Sequence, residues 1–225
     1  MKSRRFLPLL LVLFVGSGCA ALIYEVVWFQ LLQLVIGSTA VSMGVLLGTF
    51  MGGLCIGSLA LPKYVSARRH PLRVYAALEL GIGVIALIVL LVMPYAGGAY
   101  TPIAGQGVLG VITRAVLCTI LLLPPTILMG ASLPAIARWI ETTPEGVSWL
   151  GFFYGGNTAG AVVGALLAGF YLLRLHDMPT ATYVAFAINV AVALLAFGLA
   201  ALTAHHEQGA EHATAGGAMF VRRAW

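Results

Sequence analysis

The fold is decided by residues 6–34, FLPLLLVLFVGSGCAALIYEVVWFQLLQL, in which Glu25 is the single charged side chain. An α-helix rises about 1.5 Å per residue, so about 20 apolar residues cross the roughly 30 Å hydrocarbon core of a bilayer. This stretch exceeds that length and is apolar on all sides. It is therefore predicted to be a transmembrane helix and not part of a soluble domain.

The rest of the chain has the same character. Of its 225 residues, 61% are hydrophobic and 8% are charged, whereas soluble chains carry about 25% charged residues. The mean hydropathy is +1.02. A membrane β-barrel would need short segments of alternating polar and apolar residues, which these runs lack. Five further apolar runs are predicted to be transmembrane helices: 39–61, 72–94, 107–133, 147–173 and 180–204.

The predicted fold class is therefore all-α, a polytopic bundle of about six transmembrane helices. The loops between the runs are short, so residues 1–204 are expected to form one bundle whose sequence neighbours lie antiparallel. Residues 205–225 are expected to form a short mobile tail. The tail contains His205, His206 and His212, but a metal site there is disfavoured because no second ligand cluster accompanies it. No metal or cofactor is predicted.

Basic residues predict the orientation, because Lys and Arg accumulate in short cytoplasmic loops. If six helices are threaded through the bilayer, ten basic residues fall on one side: Lys2, Arg4, Arg5, Lys63, Arg68, Arg69, Arg73, Arg138, Arg222 and Arg223. Arg174 is on the opposite side. We therefore expect a multi-pass protein of an inner or plasma membrane with both termini cytoplasmic. The net charge of +5 is attributed to this topology and not to nucleic-acid binding.

Polar side chains at membrane depth are the candidate functional residues, because burying them in hydrocarbon is costly. The candidate polar site consists of Glu25, Glu79, Arg114, Asn157 and Asn189. Arg114 is a plausible partner for Glu25, and Arg73 lies close enough along the chain to pair with Glu79. Two interpretations remain open: the carboxylates form ties between helices, or they form a relay for protons or cations. No catalytic residue is predicted.

Small residues and prolines form two further patterns. Glycines recur at four-residue spacing on the second run and the fifth run, which permits close helix packing or a dimer face: Gly44, Gly48 and Gly52, and Gly156, Gly160 and Gly164. Three prolines, Pro124, Pro125 and Pro134, are predicted to bend or break the fourth helix. Broken helices line the binding sites of many transporters, but plain kinks also occur.

Five stretches resemble the membrane part of transmembrane spermidine-synthase-like proteins. They are Ser17–Trp28 (SGCAALIYEVVW), Gly57-Ser58 at the end of a glycine-rich helix, Leu78–Gly83 (LELGIG), Leu123–Pro134 (LPPT and MGASLP), and Tyr154 with Asn157–Ala161 (NTAGA). The resemblance covers nearly all of residues 10–200. It implies a membrane section similar to half of a major-facilitator transporter, which in this family precedes a soluble aminopropyltransferase-like domain.

The chain departs from that family after the sixth run. An aminopropyltransferase needs a Rossmann-like sheet with a glycine-rich loop, and residues 204–225 contain neither pattern. The chain is therefore expected not to be an enzyme. The favoured hypothesis is a non-catalytic accessory or scaffold subunit that packs with other membrane proteins or anchors a separate soluble enzyme at the cytoplasmic face. The alternative is a homodimeric transporter of a small solute or polyamine that uses intramembrane carboxylates.

Overall fold

The computed structural model describes residues 6–65, 69–98, 107–140 and 144–203. These residues form six long helices: α1 (Leu7–Ile36), α2 (Thr39–Tyr64), α3 (Pro71–Gly98), α4 (Val108–Ile140), α5 (Pro144–Leu166) and α6 (Met178–Leu202). All six are long and apolar enough to cross a membrane. The all-α prediction is confirmed, and the chain is a multi-pass integral membrane protein. The tail at 205–225 lies outside the described residues.

Helix ends follow local sequence rules. Gly37 adopts a left-handed conformation (φ 82°) and its N–H donates to the Gln33 carbonyl, which closes the end of α1. Asp177 precedes α6 and its Oδ1 accepts a hydrogen bond of 2.9 Å from the backbone N–H of Thr180. Pro179 occupies the first turn, where a missing N–H costs no hydrogen bond. These two helix caps lie where the chain reverses direction, after α1 and before α6, on the side of the bundle opposite the start of α1 and the end of α6.

Packing neighbours in the bundle are mostly not sequence neighbours. The most extensive contacts join α2 to α4 and α1 to α5, followed by α3 with α4, α3 with α6 and α1 with α6. Contact between α1 and α2 is smaller. The order of helices along the chain therefore does not give the main packing pairs of the bundle. Helix α1 is central, and it contributes Leu10, Ile23, Tyr24 and Trp28 to the buried apolar core.

Helices α1 and α5 meet backbone to backbone at small residues. A Cβ added to Gly160 would overlap the Val15 carbonyl, and one added to Gly164 would overlap the Cys19 carbonyl. At Gly156 the obstacle is the end of the Leu11 side chain, 2.5 Å away. The predicted glycine row of α5 thus lies at the α1 crossing.

The glycine row of α2 does not lie at a helix crossing within the described part of the chain. Gly44, Gly48 and Gly52 face open space, because a Cβ at any of them would meet no atom within 4 Å. The close crossing with α4 uses Gly53 and Gly57 instead, which lie against Thr126 and the Ile127 carbonyl. Gly130 of α4 completes it from the other side, against the backbone of Leu54.

Of the two outcomes expected for the prolines, a bend or a break of α4, the structure excludes the break. The helix continues from Val108 to Ile140 with Pro124, Pro125 and Pro134 inside it. The hydroxyl of Thr126 bonds the Leu122 and Leu123 carbonyls at 3.0 and 2.9 Å. These bonds lie next to the Ile120 and Leu121 carbonyls, which Pro124 and Pro125 leave without their usual N–H donors. The departure from α geometry lies elsewhere, in a π-helical segment at Leu167–Leu172 that continues α5.

Candidate functional site

A cavity of about 300 Å³ lies inside the bundle, and each of the six helices contributes to its wall. Most of the wall is apolar, including Phe14, Phe50 and Met129. Hydroxyl, amide and carboxyl groups also line it: Ser17, Ser58, Glu79, Ser132, Asn157 and Asn189. An apolar cavity with a few convergent polar groups is the usual form of a small-molecule site.

Glu79 of α3 is the ionisable centre of this wall, and its side chain is fully buried. Its Oε1 accepts a 2.6 Å hydrogen bond from the Ser17 hydroxyl of α1. Its Oε2 has no hydrogen-bond partner. The buried hydroxyl of Tyr75, one turn earlier on α3, also faces this carboxyl group, so Oε2 can take a hydrogen bond from Tyr75 or from a ligand.

Asn189 of α6 lies beside Glu79 and is also buried. Its Nδ2 donates to the Glu79 backbone carbonyl at 3.0 Å, whereas its Oδ1 has no partner. Gly83 allows this approach, since a Cβ there would press on Phe186 at 2.8 Å and lie 3.6 Å from the Cβ of Asn189. The cavity therefore presents two unpartnered buried acceptor oxygens on adjoining helices.

The position of Ser17 follows from its sequence neighbours. Gly16 lies against α6, where a Cβ would meet the Val192 side chain at 2.8 Å, and Gly18 lies against the Asn157 backbone of α5. These two glycines let α1 sit close to both helices. Because α1 is held there, the Ser17 hydroxyl reaches the carboxyl group of α3.

Glu25 and Arg114 lie outside the cavity wall. Glu25 is partly buried and forms no hydrogen bond or ion pair within the described part of the chain. The Arg114 guanidinium donates to the Val35 carbonyl in the last turn of α1 at 3.2 Å. Val35 is ten residues beyond Glu25, about 15 Å along the helix. The suggested Glu25–Arg114 pair is therefore corrected.

The suggested pairing of Arg73 with Glu79 is also corrected. Arg73 is exposed, whereas the Glu79 carboxyl points inward to Ser17 and the cavity. Of the five residues of the candidate polar site, the structure brings together Glu79, Asn157 and Asn189. Of the three prolines, Pro134 lines the same cavity.

The hydroxyl groups of Ser17, Ser58 and Ser132 were missed as site residues. A signal was available, because each lies in one of the stretches that carry the family resemblance. All five stretches contribute to the cavity wall, through Ser17, Ser58, Glu79, Ser132 and Tyr154. Residues spread over more than half of the chain thus converge on one space.

In the part of the chain that the structure describes, no three His, Cys, Asp or Glu side chains lie together in a way that could hold a metal ion. Comparison with known proteins gives no match to a family model, to a curated protein or to a solved structure. The site is therefore interpreted from its own geometry.

Proposed function

We propose that this protein is a small-solute transporter whose binding site is the cavity at Glu79. The observation that carries the proposal is the buried carboxyl group with one oxygen that no protein group satisfies. A carboxyl group at membrane depth is costly to bury, and such groups commonly mark ion and substrate pathways. A purely structural tie would use both oxygens.

The depth of the cavity agrees with this role. Glu79 lies eight residues after Pro71, the first residue of α3, which is about 12 Å along the helix. Ser132 lies eight residues before the end of α4 at Ile140. The cavity is therefore below the surface, in the half of the bundle nearer the chain termini. In the orientation that the basic residues predict, this is the cytoplasmic half.

All six helices contribute to the wall of the site, so a relative movement of the helices would change its access. Transport requires that the cavity open alternately to the two sides of the membrane. This requirement can be tested without knowledge of the solute.

The test uses single cysteines at Ser58 and Ser132, both of which line the cavity. The native Cys19, Cys55 and Cys118 are free thiols and would first be replaced by alanine. Oriented proteoliposomes are then treated with a membrane-impermeant thiol reagent from one side or the other. We expect Ser58→Cys and Ser132→Cys to be labelled from both sides. Labelling from one side alone would contradict transport.

A second candidate function is the accessory or scaffold subunit that packs with other membrane proteins or anchors a soluble enzyme. The observation that favours it is the open face of α2, where a Cβ at Gly44, Gly48 or Gly52 would meet no atom of the described residues within 4 Å. Rows of glycine in membrane helices commonly support close packing. The same face would also suit a homodimer.

Native mass spectrometry after mild extraction separates these assemblies. A chain that co-purifies with other membrane proteins or with a soluble enzyme would support the accessory role. A monomer or homodimer would remove its basis and leave the transporter proposal. The variant Gly48→Leu would place a large side chain on the open face of α2. It should dissociate an assembly whose interface includes that face.

A further inference from the structure

Hydrogen-bond donors in the cavity wall are largely committed to the protein. The Ser17 hydroxyl donates to Glu79, and the Asn189 amide donates to the Glu79 backbone. The hydroxyls of Ser58 and Ser132 donate to the Cys55 and Met129 carbonyls of their own helices, at 2.9 and 2.8 Å. Among the described lining residues, the side chains of Asn157 and Tyr154 on α5 form no hydrogen bond, so a ligand meets free donors at α5 and not at the groups committed to Glu79.

Acceptors, by contrast, remain unfilled. Glu79 Oε2 and Asn189 Oδ1 are buried without a partner. Pro134 has no N–H to offer the Gly130 carbonyl four residues earlier, and both residues line the cavity. A buried acceptor left unsatisfied is costly, so a ligand that donates hydrogen bonds would relieve that cost. The part of the wall around Glu79 and Asn189 thus selects for donors.

The charge of the wall points the same way. Neither Lys nor Arg nor His is among the lining residues, and Glu79 is the one carboxylic acid among them. When Glu79 is ionised, no basic side chain of the wall neutralises it, so a cationic ligand is favoured and an anionic ligand is opposed. The charge and the hydrogen-bonding pattern therefore select the same chemistry.

Size and surroundings narrow the ligand further. A volume of about 300 Å³ is at the small end of ligand sites but exceeds what a bare metal ion fills. The remaining wall is mainly hydrocarbon, from residues such as Phe14, Phe50 and Leu54. Glu25 lies eight residues beyond Ser17 on α1, about 12 Å away along the helix, so a second positive charge on a short molecule would have no carboxylate partner.

We propose that the cavity binds a small primary monoamine as its ammonium ion, with the –NH₃⁺ group at Glu79 and Asn189. An ammonium group has three N–H donors and no acceptor, which complements the two unpartnered oxygens. The hydrocarbon part packs against the apolar wall. This inference rests on the proposed transport function for its role, but binding itself does not require transport.

The test is calorimetric titration of the detergent-solubilised full chain with n-butylammonium chloride. Three comparison compounds isolate the features that the site should recognise. Tetramethylammonium has the charge without N–H donors, 1-butanol has the hydrocarbon without the charge, and butyrate has the opposite charge. Sodium chloride at equal ionic strength tests a bare cation. We expect n-butylammonium to bind at least about tenfold more tightly than each of them.

Two variants locate the site. Glu79→Gln should weaken n-butylammonium binding by at least about tenfold, whereas Glu25→Gln, a change to a carboxyl group outside the cavity, should leave it unchanged. Equal binding of tetramethylammonium, sodium or 1-butanol to the unmodified chain would overturn the proposal. That ligand series decides the matter even if Glu79→Gln fails to fold.

The outcome is separable from that of the transport test. If n-butylammonium binds through Glu79 but the cavity cysteines are labelled from one side alone, the transport proposal fails and the ligand class stands. If the cysteines are labelled from both sides but butyrate or 1-butanol binds best, transport stands and the ligand class is wrong.

Discussion

The Ser17 hydroxyl donates a 2.6 Å hydrogen bond to Oε1 of Glu79, which ties the central helix α1 to α3 inside the bundle. The two residues are 62 positions apart in the chain. This bond fixes one oxygen of the carboxyl group and leaves the other without a hydrogen bond among the described residues. It is the contact on which the site depends.

Removal of that donor should be costly. Ser17→Ala leaves a buried carboxyl oxygen unsatisfied, and we expect a loss of about 1–3 kcal/mol in the free energy of unfolding. Ser42→Ala is the matched control, because the Ser42 hydroxyl is buried but has no partner. Chemical denaturation in detergent measures both. Equal losses in the two variants would show that the bond to Glu79 contributes nothing.

Asn189 should matter more to folding than Asn157. Asn189→Ala removes the bond to the Glu79 backbone carbonyl and should destabilise the bundle by about 1 kcal/mol. Asn157→Ala removes a side chain that forms no hydrogen bond within the described residues and should cost less. Thermal unfolding of the two purified variants compares them, and the reverse order would contradict the assignment of the tie between α3 and α6.

Substitution of glycine by leucine should change the stability of the bundle in the α5 glycine row but not in the α2 glycine row. Gly160→Leu places a side chain against the Val15 backbone, and overpacking of this kind costs about 1–3 kcal/mol or more. Gly48→Leu enters open space and should change the stability of the isolated chain by no more than about 0.5 kcal/mol. Detergent unfolding of monomeric protein checks both. A strongly destabilised Gly48→Leu monomer would contradict the packing described for α2.

Glu25 and Arg114 should behave as independent residues. Arg114→Gln removes the bond to the Val35 carbonyl, and we expect a loss of about 1 kcal/mol. Because the two side chains are not paired, the effects of Glu25→Gln and Arg114→Gln should add within about 0.5 kcal/mol in a double-mutant cycle. A coupling energy above about 1 kcal/mol would restore the ion pair suggested by the sequence.

The stability of the first turn of α6 should depend on pH. The hydrogen bond from Thr180 lowers the pKa of Asp177 below its ordinary value, because it stabilises the charged carboxylate. A lowered folded-state pKa means that this stabilisation is present above the unfolded-state pKa, near 3.9. It is lost as the pH falls through the lower folded-state value.

Asp177→Ala should therefore lower the thermal unfolding temperature slightly at pH 7 and lose that difference in strong acid. Asp177→Asn is the control, since its side-chain oxygen can still cap the helix but does not titrate in this range. A difference between Asp177→Ala and the unmodified chain that persists unchanged at pH 2 would contradict the assignment.

The membrane helices could be predicted because length and hydrophobicity alone decide whether a segment crosses a bilayer. Their pairing could not, since apolar helix surfaces are equally compatible with lipid and with neighbouring helices. Helix α2 illustrates the difficulty. Gly52 and Gly53 belong to two overlapping glycine rows about 100° apart around the helix, and the sequence does not state which row faces α4.

Only part of the candidate site could be predicted, because the sequence does not show which helices bring their polar side chains together. A carboxyl group at membrane depth is conspicuous in any sequence, so Glu79 could be identified, but its partner is a serine from a helix far away in the chain. Serine is common at helix contacts and carries no distinctive signal. Arg114 was paired with Glu25, which was expected at a similar depth, whereas in the structure its guanidinium donates to a carbonyl in the last turn of α1.

The two backbone crossings, α1 with α5 and α2 with α4, have a mechanical consequence. At such crossings few side chains separate the two helices, so few side chains can change rotamer there. Each helix pair should therefore move as a rigid unit. The cavity lies between the two helix pairs. The direct contacts between the pairs, α1 with α2 and α4 with α5, are sparse. A tilt of one pair against the other would therefore change the cavity volume, and it would move the contacts that α3 and α6 make with α4 and α1.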